Sequence, residues 1–463
     1  MLTYDITKAK GSIYEYIYQC IKSDIICAKL ATGEKLPSKR TMAKNHGIST
    51  ITIQNAYDQL ICEGYVISVP KKGYYVASLS GMTKMKKETN ISYHIDVPKE
   101  NHAGSIDLSD NRTDTERFPF SVWARMVRNV LSEKTPELME VSPTGGSMRL
   151  REAIAGHLKS FRGLLVDPNQ IVVGAGTEYL YGLIIQLLGA EKTYCIENPG
   201  YKKLSRIYAG HHILCRYANL DEMGITCSGL EATRANVAHI CPNHHFPTGI
   251  TMPAKRRYEV LSWASAQSER YIIEDDYDSE FRLNGRPIPT LFSIDESETV
   301  IYMNTFAKSL TPTIRISYMV LPVHLANLFY RTLSFYACTV SNFEQFTLAE
   351  FINEGYFEKH INRMRLYYIR KREKLMEAIG KSRLHSLCEI IENDSGLHFL
   401  LQLHTNQSDH DVQMALEAKG IHVAALSEYY FVQSDKEHYF IMNYSNFKLE
   451  EASQVFDEIA SVI

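Results

Sequence analysis

Nowhere in this sequence do about 18 apolar residues run together, the length a membrane-crossing helix needs, so no span is expected. The opening stretch MLTYDITKAKGS lacks the apolar core of a secretory leader. Cysteine occurs nine times, an odd number, and never as a Cys-x-x-Cys pair. A disulfide framework and a zinc site are therefore not expected, nor is any other metal, and a reducing cytoplasm is. Internal repeats and low-complexity tracts are missing as well. What is there is a globular composition, 45% hydrophobic and 22% charged over 463 residues, enough for two or three domains.

The net charge of −3 hides an asymmetry. Residues 1–87 hold 13 Lys and Arg against 6 Asp and Glu, whereas the remainder holds 37 against 47. A small basic front on a large acidic body suggests that only the front meets a polyanion. That front reads as three helices and a hairpin. Ile13, Ile17, Ile21 and Ile25 recur every four residues in 12–30 and give one apolar helix face. Ser38 is placed to cap a short helix, 39–45, that Gly47 ends. Ser49 can cap a third whose Ile53, Ala56, Tyr57, Leu60 and Ile61 share a face, with Gly64 as its left-handed stop. Residues 65–69 and 74–77 are strands around the turn Pro70-Lys71-Lys72-Gly73. Two helices about a glycine turn with a hairpin behind describe a winged helix-turn-helix; a small helical cap on an enzyme is the alternative. In the winged reading Thr50, Thr52, Gln54 and Asn55 face the major groove of double-stranded DNA, with Gln54 suited to adenine. Lys39, Arg40, Lys71 and Lys72 would contact phosphates.

Residues 79–105 are polar and without periodicity, as in a linker. Beyond them, apolar runs at 171–173, 193–197, 237–241, 271–275, 299–304 and 317–321 alternate with helical patterns, predicting a mostly parallel sheet covered on both faces. After Val323 the chain reads as helical to about 382. Short strands at 388–392, 397–403 and 439–444 and a last helix, 448–462, then make a smaller α+β domain.

Four segments at strand ends, where α/β sheets bind ligands, carry the chemistry. Gly174-Ala-Gly176-Thr177 leads a strand into helix 178–188 and can cradle a phosphate, or be a tight turn only. Tyr201 follows another strand, where a tyrosine is as readily core as a stacking partner. Three acids, Glu274, Asp275 and Asp276, end the strand 271–275 just before Tyr277, and need partners if they are not a solvated loop. Lys308 follows a strand among apolar neighbours, which would lower its pKa and sharpen it as a nucleophile; alone, it could equally be a surface lysine.

The front, LPSKRTMAKNHGISTITIQNAYDQLICEGYV, resembles the GntR family over some sixty residues. FPFSVWARMVRNVL, SMRLREAIAGHL, ENPGY, HHFPTGITM, IIEDDYDSEFR and NTFAKSLTPTIRISYMVLP resemble the fold-type-I aminotransferases in their order. The whole is similar to their fusion, the MocR/GabR regulators. That resemblance implies an α/β fold with a winged helix-turn-helix over 1–78, a linker over 79–105, a large domain over 106–325 binding pyridoxal 5′-phosphate, and a smaller one over 326–463. It implies a cytoplasmic homodimer that regulates transcription and senses the cofactor or an amine or amino-acid effector; a working aminotransferase with an accessory head is the rival. By the same resemblance Lys308 forms the Schiff base, Asp275 pairs with the ring nitrogen, Tyr277 meets the ring hydroxyl and Tyr201 stacks on the ring. Gly176, Thr177, Thr305 and Arg315 hold the phosphate.

Three departures stand out. Phe246 occupies the place of an asparagine that enzymes of this fold aim at the ring, as is common in the regulators. Val141 stands where a tyrosine would reach a partner subunit's phosphate. The late strand has no arginine to clamp a carboxylate, which leaves Lys203 as the effector's candidate contact.

Overall fold

The computed structural model describes residues 2–79, 95–96, 106–109, 113–282, 288–391, 396–432 and 436–463. The chain forms two compact units, Met1–Asn101 and His102–Ile463. The expected linker, 79–105, lies almost wholly outside the described residues.

In the first unit, helix Ile13–Ile26 buries Ile17, Tyr18, Ile21 and Ile25. They pack on Ile53, Ala56, Tyr57 and Leu60 of helix Thr50–Cys62 and on Met42 and Ala43 of helix Lys39–His46. Ser38 and Ser49 cap the two later helices, each accepting a backbone N–H at 3.1 Å, which satisfies donors the first turn leaves orphaned. Gly47, at φ 63°, closes the first of them and Gly64, at φ 78°, follows the second. Strands Val66–Val69 and Gly73–Val76 form the hairpin, and Lys35–Leu36 adds a third strand beside Gly73–Val76.

The second unit is built on an eight-stranded sheet. Strands Val300–Thr305, Tyr271–Asp275, Val237–Ile240, Thr193–Asn198 and Leu214–Asp221 lie side by side and parallel. Strand Ile316–Val320 runs antiparallel between Val300–Thr305 and Ile171–Ala175. Its amino end therefore meets the carboxyl ends of both neighbours. The strand Leu214–Asp221 and its partner Gly224–Ile225 were not predicted. Nor is the segment after Val323 one continuous helix. It breaks into Val323–Thr332, Asn342–Asn353 and Tyr356–Lys381, the last two separated at Gly355 (φ 72°). A four-stranded antiparallel sheet, including His398–Leu403 and Tyr439–Asn443, and helix Ala452–Val462 complete the chain. This is the α/β fold the sequence implied, a winged helix-turn-helix followed by an aminotransferase-like body.

Candidate cofactor site and nucleic-acid interface

The candidate phosphate cup lies at the edge where the antiparallel strand begins. Ile316 pairs with Ala175, and Ser317 pairs with Thr305. Arg315, Gly176 and Thr305, distant in sequence, thus share one corner of the sheet. Gly176 caps helix Thr177–Leu188 at φ 91°, ψ 159°, a conformation other residues scarcely adopt. A Cβ there would come within 2.6 Å of the Arg315 guanidinium, which would have to shift. The first N–H groups of this helix and the guanidinium make a ready-made anion site. Thr305 accepts from the Ser317 hydroxyl at 2.8 Å, which fixes its rotamer. Lys308 lies in the turn of helix Phe306–Ser309 that continues from Thr305.

The sequence reading did not single out Glu178. Its carboxylate accepts from Arg315 at 3.0 Å and also pairs with Lys203. Those two cations, Lys203 foremost, hold it below the usual carboxylate range. Both named cations of the site therefore meet one acid at the helix start.

Alternation along Tyr271–Asp275 sends the three acids to three environments. Glu274 is fully buried and accepts from the Leu291 and Phe292 amides, each at 2.9 Å. Asp276 pairs with Arg162 and accepts from Tyr302 at 2.8 Å and Asn243 at 2.7 Å. Asp275 accepts from Tyr181 at 2.6 Å through Oδ2, with His239 Nε2 at 3.4 Å from the same oxygen. His239 is in turn oriented by the Tyr208 hydroxyl at 2.7 Å from Nδ1. The other oxygen, Asp275 Oδ1, is buried with no hydrogen-bond partner among the described residues. A buried carboxylate oxygen left unpartnered is costly, and this one suits a protonated ring nitrogen brought by a ligand. Tyr181 and His239 were also missed, although Tyr181 lies one helical turn after Thr177.

Around the opposite wall, Phe246 is buried and meets the rings of Tyr201 at 6.1 Å, Tyr429 at 5.4 Å and His398 at 5.3 Å, all edge-on. Tyr201 remains 47% exposed. Tyr277 lies 3.2 Å from His244 Nδ1, which also meets Asp278 at 2.7 Å. Burial above all, then the neighbouring His244 and more weakly Lys308, keeps His398 well below its ordinary pKa. On the late strand, Tyr439 and Ile441 join the Phe246 cluster. Beneath it, burial pushes Glu197 up to about 8 and pulls His245 down to about 3. Val141 is 81% exposed.

In the first unit Thr50, Gln54, Asn55, Arg40, Lys71 and Lys72 are exposed and Lys39 and Thr52 half-buried. The Thr52 hydroxyl is 2.9 Å from that of the capping Ser49. Ile51, which the sequence reading passed over, is 71% exposed beside Thr50. An apolar side chain there matches the thymine methyl group.

Residues 13–76 match the family described as bacterial regulatory proteins, gntR family, and residues 104–452 match aminotransferase class I and II. The HTH-type transcriptional regulator YdeL of Bacillus subtilis is 34% identical over 418 residues, spanning 90% of this chain and 89% of its own length. The probable rhizopine catabolism regulatory protein MocR of Rhizobium meliloti is 30% identical over 439 residues, spanning 90% and 87%. The pyridoxine biosynthesis regulator PdxR of Corynebacterium glutamicum is 29% identical over 408 residues, spanning 87% and 85%. Among solved structures, Pyrococcus horikoshii kynurenine aminotransferase superposes with a TM-score of 0.69 at 22% identity, over 78% of this chain and 91% of that one. That likeness concerns the fold.

Proposed function

The chain belongs to the MocR-type group of GntR-family transcription regulators, and on that premise we propose that occupancy of its aminotransferase-like site sets the affinity of its head for DNA. The cofactor is pyridoxal 5′-phosphate, and the residues present fit it. The single observation that carries the fit is the buried, unpartnered Asp275 Oδ1, with the Gly176 cradle beside Arg315 in support. When bound, the group supplies a carbonyl that amines can condense with.

The protein's own residues do the rest. Asp275 holds a proton on the ring nitrogen, and Tyr181 and His239 hold Asp275. Tyr277, with its hydroxyl set by His244, meets the ring hydroxyl, and Tyr201 covers a ring face. Gly176, Thr177, Thr305 and Arg315 would hold the phosphate, with Arg315 already paired with Glu178 at the helix start. Lys308 is the covalent anchor, and an effector amine competes for its place. Lys203 is the effector's polar contact, already paired with Glu178. In the head Thr50, Thr52, Gln54 and Asn55 read bases, and Lys39, Arg40, Lys71 and Lys72 bind phosphates. The protein works as a cytoplasmic homodimer.

Borohydride reduction of the purified protein should fix the cofactor to a peptide containing Lys308, and Lys308→Ala should abolish the fixation. Operator affinity at one fixed salt concentration should then differ between cofactor-loaded protein, stripped protein and Lys308→Ala by roughly 5–150-fold. Identical affinities and footprints in all three states would remove the regulatory mechanism. Steady turnover of amino and keto acids in that case would put an aminotransferase in its place.

A further inference from the structure

Away from the sheet edge, a cavity of about 460 Å³ opens beside helix Tyr356–Lys381. Its other walls are the turn at 114–117 and residues 446–450. The helix contributes Arg370 and Lys374, one turn apart and exposed, and Lys371, three residues before Lys374 and buried. Arg117 and Lys448 add two more cations, against the carboxylates of Asp114, Glu116 and Glu450. Asp114 is already engaged: it accepts from the Tyr367 hydroxyl at 2.8 Å and lies 3.4 Å from Arg117. Arg117 is itself laid on the Tyr367 ring at 3.6 Å. The lining is therefore positive in excess, in a concave site of the size that small ligands fill.

Lys371 is the unusual member. It is only 4% exposed, and its Nζ donates to the Ser445 carbonyl at 2.9 Å. Among the described residues no carboxylate lies within ion-pair distance of it. An ammonium has three hydrogens to place, and a buried one without a counter-ion is unfavourable. Burial draws its pKa down to about 8, with Asp114 and Glu450 opposing and Arg117 assisting. None of these residues contributes to the cofactor cup.

We propose that this cavity binds a small multivalent oxyanion of the phosphate type, held by Lys371, Arg370 and Lys374, as a second ligand site on the regulator's body. The anion supplies the counter-ion that the buried amine lacks. The site stands apart from the Lys308 reading and can fail without it.

The test is calorimetry of the full-length, cofactor-loaded protein with sulfate at pH 8, against chloride at equal ionic strength. Sulfate does not titrate in this range, so any proton taken up belongs to the protein. Binding should saturate at one sulfate per chain. In two buffers of different protonation heat it should show uptake of up to about half a proton, since Lys371 is about half charged there, and the uptake should vanish toward pH 6. Arg370→Ala with Lys374→Ala should weaken sulfate at least tenfold while cofactor content and melting temperature hold. Lys371→Met should abolish the proton uptake. Pyrophosphate should bind more tightly than citrate. Absence of saturable heat, unchanged binding in the double variant, or undiminished uptake in Lys371→Met would each overturn the site. Tighter citrate would overturn the phosphate-type assignment. Displacement of sulfate by random duplex DNA, lost in the double variant, would reassign the patch to DNA.

Discussion

Gly176 shows how much a single residue can decide. Its backbone lies where a side chain is strained, and the nearest obstacle to a Cβ is the guanidinium of Arg315, proposed above to bind the phosphate. Gly176→Ala should cost about 1–3 kcal/mol of stability from backbone strain and also displace Arg315. Cofactor retained after dialysis, followed by absorbance, should fall at least tenfold, more steeply than the melting temperature. Glu197 offers a pH test. Its folded pKa of about 8 lies above the ordinary 4.5, so between those values the folded state holds a proton the unfolded chain has lost. Its contribution to stability is complete below about pH 4.5 and is lost as pH rises through 8. His245 acts oppositely, because its pKa falls from 6.5 to about 3 and stability is gained as pH rises across that window. The two are one buried pair, His245 Nε2 lying 3.5 Å from Glu197 Oε2, and between about 4.5 and 6.5 their effects on stability oppose each other. Glu197→Gln should therefore gain stability relative to the wild type as pH rises from 4.5 to 8. Denaturant titrations at several pH values should show one proton fewer in the linkage, and parallel pH profiles for both proteins would exclude this account.

At the scale of elements, the proposal puts base reading on helix Thr50–Cys62 and phosphate anchoring on residues outside it. Gln54→Ala should relax preference at one base pair and cost about 1–3 kcal/mol on operator DNA alone. Lys71→Ala with Lys72→Ala, on the hairpin turn, should weaken operator and random DNA alike and reduce the log–log salt slope by about two. Equal losses on both DNAs for Gln54→Ala would remove it from base reading. The elements themselves were legible where hydrophobic pattern and punctuation agreed. The strand at 271–275 and the head helices stand as read, because apolar periodicity, serine caps and left-handed glycines point one way. Leu214–Asp221 escaped because it alternates exposed and covered positions at one side of the sheet and carries no apolar run. Lys308, Asp275, Tyr277 and Gly176 could be singled out because each sits in a local motif. Glu178 could not, since its pairing with Arg315 spans 137 residues and exists only once the sheet is assembled. The same holds for His239, which reaches Asp275 through adjacency of two strands rather than any spacing in the chain.

At the scale of the whole molecule, the basic head and acidic body predict that DNA contact belongs mainly to the head. Residues 1–78 alone, touching about four phosphates, should show a log–log salt slope of about −3.6, and the full-length protein about twice that if two heads engage. A full-length slope equal to the head's would argue that only one head engages. The body has its own global constraint in the antiparallel strand Ile316–Val320. The corner that holds Gly176, Thr305 and Arg315 exists only with this strand in place between two others, one of which precedes it by about 140 residues. A chain truncated before Val320 should therefore retain no cofactor, as absorbance after dialysis would show. With Gly176, Thr305 and Arg315 as its proposed holders, a bound phosphate would join the ends of three strands that meet at this corner. Amide exchange across residues 316–320 should slow by orders of magnitude in the loaded protein, making this strand the place where the protein registers in its own stability that the vitamin is present.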